Sequence, residues 1–446
     1  MKKIENVTFP KYGASTDDVR DALSGTDAEY ILVTTDTDAD ITGIEAAAVR
    51  MSEEMQKSGA GIVYSDLFRR TSGTDILTPL SDWQTGSVRD DFDFGSLMLV
   101  SRSAVCHYLS LALTGFRFAG FYQFWLAVSE KYDVRRIPEP LYTVVETDLR
   151  ASGQKQFDYV NPRNREVQIE MEAACTEHLK RIGAYLAPDS YKRIDTEAEG
   201  TFDMTASVII PVRNRVRTIR DAVMSALSQQ ADFDFNVIVI DNHSTDGTTG
   251  IIRETALSDP RVIHLIPERT DLGIGGCWDM AIRDSRCGRY AVQLDSDDMY
   301  SGPDTLARIV SKFREEQCAM VIGSYRMCDF QLQTLPPGII SHSEWTDGNG
   351  PNNALRINGL GAPRAFYTPV VRKVGFPNVS YGEDYAVGIA ISGEYRIGRI
   401  FDELYLCRRW DGNSDAALSP ERIAANNTYK DSLRTAEIIK RIDRNR

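Results

Sequence analysis

Three aspartates, Asp295, Asp297 and Asp298, follow closely on the apolar or neutral run 290–294. Carboxylates crowded at a strand tip repel one another unless positive charge sits among them. Hard oxygen donors of this kind hold Mg2+ or Mn2+, and in phosphate sites such a cation takes one or two carboxylates plus phosphate oxygens. A solvated acidic turn is the simpler use of the same residues. The strand-tip position favours the cation and a diphosphate. A helix–loop–helix calcium site needs glycine sixth and glutamate twelfth from Asp295; Tyr300 and Leu306 stand there instead. A dinucleotide fingerprint fails as well, because Trp278 occupies the place of the last glycine in DLGIGGCW.

The elements that position these acids are legible after residue 200. The stretch 206–212 (ASVIIPV) reads as a buried parallel strand. Ile219, Ala222, Val223, Ala226 and Leu227 then follow helical spacing. Strands are expected at 235–240, 262–266 and 290–294, with helices at about 248–257 and 276–285 between them. Alternation of this kind predicts an α/β fold with a parallel sheet and crossover helices. Ligands of such sheets bind at the C-terminal strand ends, where Asp241 and Asp295 both fall. A helical stripe at Cys175, Leu179, Ile182 and Leu186 marks a connector, and a polar linker follows to 203.

The N-terminal part echoes the C-terminal part. A slide of 263 residues aligns FYQFWLAVSEKYDVRRIPEPLY (121–142) with DYAVGIAISGEYRIGRIFDELY (384–405). AEYILVTTDTDAD (28–40) likewise echoes GRYAVQLDSDDMY (288–300), so Asp36 and Asp38 mimic the acidic tip. Too few residues precede Ile31 for two strand–helix units, so the first copy is expected to be a half-length relic. Gly120 and Phe121 stand where the second copy has Glu383 and Asp384.

SVIIPVRNR, VIVIDNHSTDGT, YAVQLDSDD, GEDY and CRRWDGNS, in that order, resemble the family 2 glycosyltransferases of the GT-A fold. The likeness covers roughly 206–415. It implies a Rossmann-like, mostly parallel C-terminal domain that binds a nucleotide-sugar donor, with uridine the expected base. It further implies that Pro211, Arg213, Asp241 and Asp246 hold base and ribose. Asp295 would face the ribose and share the metal, Mn2+ or Mg2+, with Asp297. Asp384 would be the general base of an inverting transfer, with Glu383 assisting, and Arg408 and Arg409 would bind the diphosphate. Asn242 and His243 depart from the family's usual acid–acid–glycine–serine run. Trp410 and Asp411 stand where many relatives have a metal-binding histidine. His342 is expected in a mobile acceptor-side loop.

The expected organisation is a degenerate, non-catalytic domain at 1–150 and a connector at 151–203. The catalytic domain follows at 204–415, and a helical tail at 416–446. The acceptor is expected to be a glycan or a lipid-linked hydroxyl. A net charge of −13 argues against a general nucleic-acid binder. Seven cysteines without C-x-x-C spacing suit a reducing cytoplasm. No apolar run is long enough to span a bilayer, leaving only peripheral membrane contact open. Two rival readings are a nucleotidyltransferase, for which the glycine-rich start after the first strand is missing, and a non-catalytic sugar-nucleotide-binding scaffold.

Overall fold

A computed structural model describes residues 3–10, 13–35, 40–145, 161, 164–198, 200–413 and 417–446. Asp36 and Asp38 lie outside the described residues. The chain builds two sheets. The first holds β1 (Ile4–Thr8), β2 (Tyr30–Thr34), β3 (Ile41–Thr42), β4 (Ile62–Thr71), β5 (Thr74–Thr78), β6 (Leu97–Ser101) and β7 (Val134–Val145). The second holds β8 (Ala206–Val212), β9 (Phe235–Asp241), β10 (Val262–Leu265), β11 (Tyr290–Gln293), β12 (Met299–Tyr300), β13 (Met320–Cys328), β14 (Thr334–Ile340), β15 (Arg364–Tyr367) and β16 (Ile397–Arg408).

Val208, Ile209 and Ile210 are wholly buried, so β8 is covered on both faces. Burying each such side chain contributes about 1.5–3 kcal/mol. That is why this strand reads as an unbroken apolar run. The order β10-β9-β8-β11 is parallel throughout. Beyond β11 the sheet is mixed: β15 runs antiparallel to both β11 and β13, while β16 runs parallel to β13. The helices Ile219–Leu227 and Thr248–Ser258 fall where the apolar spacing placed them.

The first sheet runs β1-β2-β6-β4-β7-β3, and the second contains β8-β11-β15-β13-β16-β12 with matching pairing senses. The registers match too. Ile62 faces Val134 and Asp66 faces Pro140; Met320 faces Ile397 and Ser324 faces Glu403. A register shift falls beside Asp66 in one sheet and beside Ser324 in the other. The helix Gly120–Ser129 and β7 correspond to the helix Glu383–Ser392 and β16 at a constant 263-residue displacement. The N-terminal unit is more than half-length, because β1 and the helix Thr16–Ser24 supply a counterpart to β8. Counterparts of β9 and β10 are absent among its described residues.

The C-terminal helix Pro420–Asn445 is no free tail. Ser419 caps it by accepting from Arg422 N, and proline opens its first turn. On one side Asp431 accepts from Ser87 Oγ and Arg89 Nε at 3.1 and 3.2 Å. On the other, Arg434 donates to the carbonyls of Leu355 and Ile357. The helix therefore bolts the N-terminal unit to the C-terminal one.

Candidate active site

A cavity of about 1000 Å3 opens at the C-terminal ends of β8 and β11. Pro211 and Arg213 line it from the end of β8, and Asp295 and Asp297 from the loop after β11. Glu383 and Asp384 enter from the first turn of their helix. Gly382 precedes them at φ 76°, a left-handed conformation that glycine adopts without the Cβ strain of other residues. That turn aims both acids into the cavity. Acids more than eighty positions apart in the chain thus share one chamber.

Arg364 joins them. Its Nη1 lies 3.0 Å from Asp384 Oδ2. Its backbone N–H donates to Gln293 Oε1, whose Nε2 donates to both Asp295 oxygens at 2.9 and 3.0 Å. Burial opposes ionisation of Asp384, but the Arg364 and Lys430 charges outweigh it and hold its carboxyl below the usual range. Burial, with Asp384 adjoining, pushes Glu383 up to about 8. Burial also raises Asp295, against the pull of Arg364. The pair therefore carries one firm negative charge, on Asp384, and one carboxyl that keeps its proton at neutral pH. Glu383 Oε2 is buried with no hydrogen-bond partner.

Asp297 is held from one side only. Its Oδ2 accepts from Trp410 Nε1 and Asn413 Nδ2 at 3.2 and 3.1 Å, with Arg215 Nε at 3.6 Å. Among the described residues no cluster of three or more His, Cys, Asp or Glu is arranged to hold a metal. A hard carboxylate facing a cavity still suits Mg2+ or Mn2+, provided phosphate oxygens complete the shell. Asp298 is committed elsewhere: its Oδ1 accepts from Arg408 N at 2.7 Å, and burial pushes its carboxyl well up.

Three residues expected to touch the donor stand behind the cavity wall. Asp241 is fully buried; it accepts from Ser244 N and Thr249 Oγ1 and faces His264 at 3.4 Å. It shapes the loop after β9. Asp246 accepts from Val216 N and Thr248 Oγ1, tying that loop to the one after β8. Arg408 is 2 % exposed and donates to the Asp297 carbonyl at 2.5 Å and to Asp221 at 2.8 Å. Its guanidinium braces the acidic tip from behind, whereas Arg409 lines the cavity. His342 is buried beside Glu344 at 3.5 Å and lines the cavity. Sequence reasoning missed Arg364, Gln293, Asn413 and Lys430. The arginine of GAPRAFY, a lone charge opening an apolar strand, was the available signal.

Residues 207–368 match the family model for glycosyl transferase family 2. The chain carries a family 2 glycosyl transferase domain. Relatives of this domain include the uncharacterized glycosyltransferase YfnE of Bacillus subtilis, 31 % identical over 122 residues, or 27 % of this chain and 30 % of that one. Chondroitin synthase of Escherichia coli is 36 % identical over 110 residues, 25 % of this chain and 15 % of that enzyme. The matched stretch therefore spans less than a third of either relative. The crystal structure of S. aureus TarS 1-349 in complex with UDP-GlcNAc overlays at a TM-score of 0.40 and 19 % identity, covering 53 % of this chain and 72 % of that one. No described helix is long and apolar enough to cross a membrane.

The protonated Glu383 in this domain predicts a pH effect. A carboxyl raised from 4.5 to about 8 on folding makes the folded state bind more protons than the unfolded one. Stability therefore falls as pH rises through that window. Glu383→Gln removes the ionisable group, so the variant should gain on wild type with rising pH. By about pH 9 it should melt higher by about 2 °C or more in a thermal scan. Parallel melting curves across the pH range would refute the assignment.

Proposed function

We propose that the chain transfers a sugar, with inversion, from a nucleotide-diphosphate donor to an acceptor hydroxyl. What supports this reading most is the opening of Asp297, Asp384 and the β8 tip onto one cavity. Pro211, Arg213 and Asn242 line the cavity and would flank the base and ribose. Asp297 would hold Mg2+ or Mn2+, which supplies charge stabilisation to the departing diphosphate. Arg215 and Arg409 add fixed positive charge on that side. The acceptor oxygen bonds to the anomeric carbon as the carbon–oxygen bond to the diphosphate breaks. That bonding pair leaves on the nucleoside diphosphate, and the hydroxyl proton passes to Asp384. Arg364 keeps Asp384 ionised, and Glu383, carrying its proton, adds no second negative charge beside it. The domain's family favours sugar transfer over nucleotidyl transfer or mere binding.

The test is a panel of nucleotide sugars with and without Mn2+, scored by thermal shift and by donor hydrolysis. A uridine donor should bind more tightly with metal, and Asp297→Ala should abolish that gain. Identical titrations for wild type and variant, with or without Mn2+, would exclude the metal role. If the wild-type chain binds no nucleotide sugar, the reading as a whole fails.

A further inference from the structure

The cavity does not end at the catalytic domain. Arg69, Thr78 and Asp93 of the N-terminal unit line it, as do Asn427 and Lys430 of the C-terminal helix. Its volume of about 1000 Å3 sits at the top of the roughly 300–1,000 Å3 range for a single small ligand. A polar track leads away from Asp384. Lys430 Nζ donates to Tyr381 Oη at 3.1 Å and to the Asn358 carbonyl at 2.7 Å. Asn358 Nδ2 donates to Asn427 Oδ1 at 3.1 Å and reaches Asp91 Oδ2 at 3.4 Å. Beyond that, Arg69 Nη2 donates to Asp93 Oδ2 at 3.3 Å.

We propose that the N-terminal unit forms the far wall of the acceptor subsite, and that this subsite takes an oligosaccharide, reading sugar units beyond the one that is glycosylated. The inference rests on the transferase reading above. The chemistry of the wall selects the class of ligand. Its acids are matched by arginines, Arg69 with Asp93 and Arg89 with Asp91, the latter at 2.7 Å. Such a wall offers many hydrogen bonds with little net charge, which suits hydroxyls rather than phosphates. Tyr381, Asn358 and Asn427 also line the cavity, residue types that grip a sugar by face and by edge.

The experiment uses the full-length chain, Mn2+ and the preferred nucleotide sugar. Acceptors are unsulfated chondroitin, chitin and malto-oligosaccharides, the corresponding monosaccharides, and one polyprenyl-diphosphate-linked saccharide. Wild type should use an oligosaccharide with a KM at least about tenfold below that of its monosaccharide, equivalent to one or two hydrogen bonds. The charge-neutral double variant Arg69→Ala/Asp93→Ala should raise that KM by about tenfold with little change in kcat or donor affinity. Asn427→Trp adds bulk to the cavity lining from the C-terminal helix and should do the same if the double variant fails to fold. Equal use of mono- and oligosaccharides, activity only on the polyprenyl-linked acceptor, or unchanged KM in folded variants would each overturn the proposal. So would intact donor binding with no oligosaccharide elongated. Absent donor binding by wild type would instead overturn the transferase reading.

Discussion

Asp384→Asn should lower sugar transfer by about 10²–10⁴ while donor affinity should stay within about twofold. Asparagine keeps the shape of the side chain but cannot take the acceptor's proton. In wild type the rate should fall at acid pH as Asp384 protonates. That limb lies low, because Arg364 at 3.0 Å and Lys430 hold the carboxyl below its ordinary range. The variant's residual rate should lack the limb. Product analysis by NMR adds a second criterion, since single displacement converts an α-linked donor into a β-linked product. Near-wild-type transfer by the folded variant, or retained anomeric configuration, would remove Asp384 from the mechanism.

Asp431→Ala should destabilise the whole chain by about 3–5 kcal/mol, the usual cost of stranding a buried charge. Asp431 is wholly buried and pairs with Arg89 at 3.2 Å and Arg434 at 2.8 Å, both guanidiniums buried too. Removing the carboxylate takes the counter-charge from Arg434 and leaves Arg89 with Asp91 across the joint. Chemical denaturation reads the loss as a lower midpoint. The exposed pair Arg220–Glu254, 2.7 Å apart, supplies the contrast: Glu254→Ala should barely move that midpoint. Equal effects from the two variants would refute the helix's role as a bolt. Gly86→Ala tests the same joint sterically, since a Cβ there would sit 2.2 Å from Thr435 N.

The second sheet was readable wherever a strand is buried on both faces. β8 was bounded correctly because apolar burial leaves a continuous run, ended by Pro211 and a basic loop. The echo between 121–142 and 384–405 was readable because helix and strand kept their lengths. The mixed half of the sheet was less legible, since β15 spans only Arg364–Tyr367 and pairs with distant strands. Within the site, sequence located the acids but not their facing. Asp241 ends β9 and Asp297 follows β11, yet one is buried under its own loop and the other lines the cavity. Side-chain direction at a loop depends on which backbone N–H groups need partners, and adjacent residues do not reveal that. Arg364 escaped notice because its partners Asp295 and Asp384 come from other segments.

The cavity shared between the two units makes any ligand that lies across it a thermodynamic staple. Such a ligand binds only when both walls are folded and in place, so its mass-action stabilisation is credited to the joint as much as to either unit. With donor and a long acceptor saturating, the chain should therefore melt higher in calorimetry than with a short acceptor that touches one wall alone.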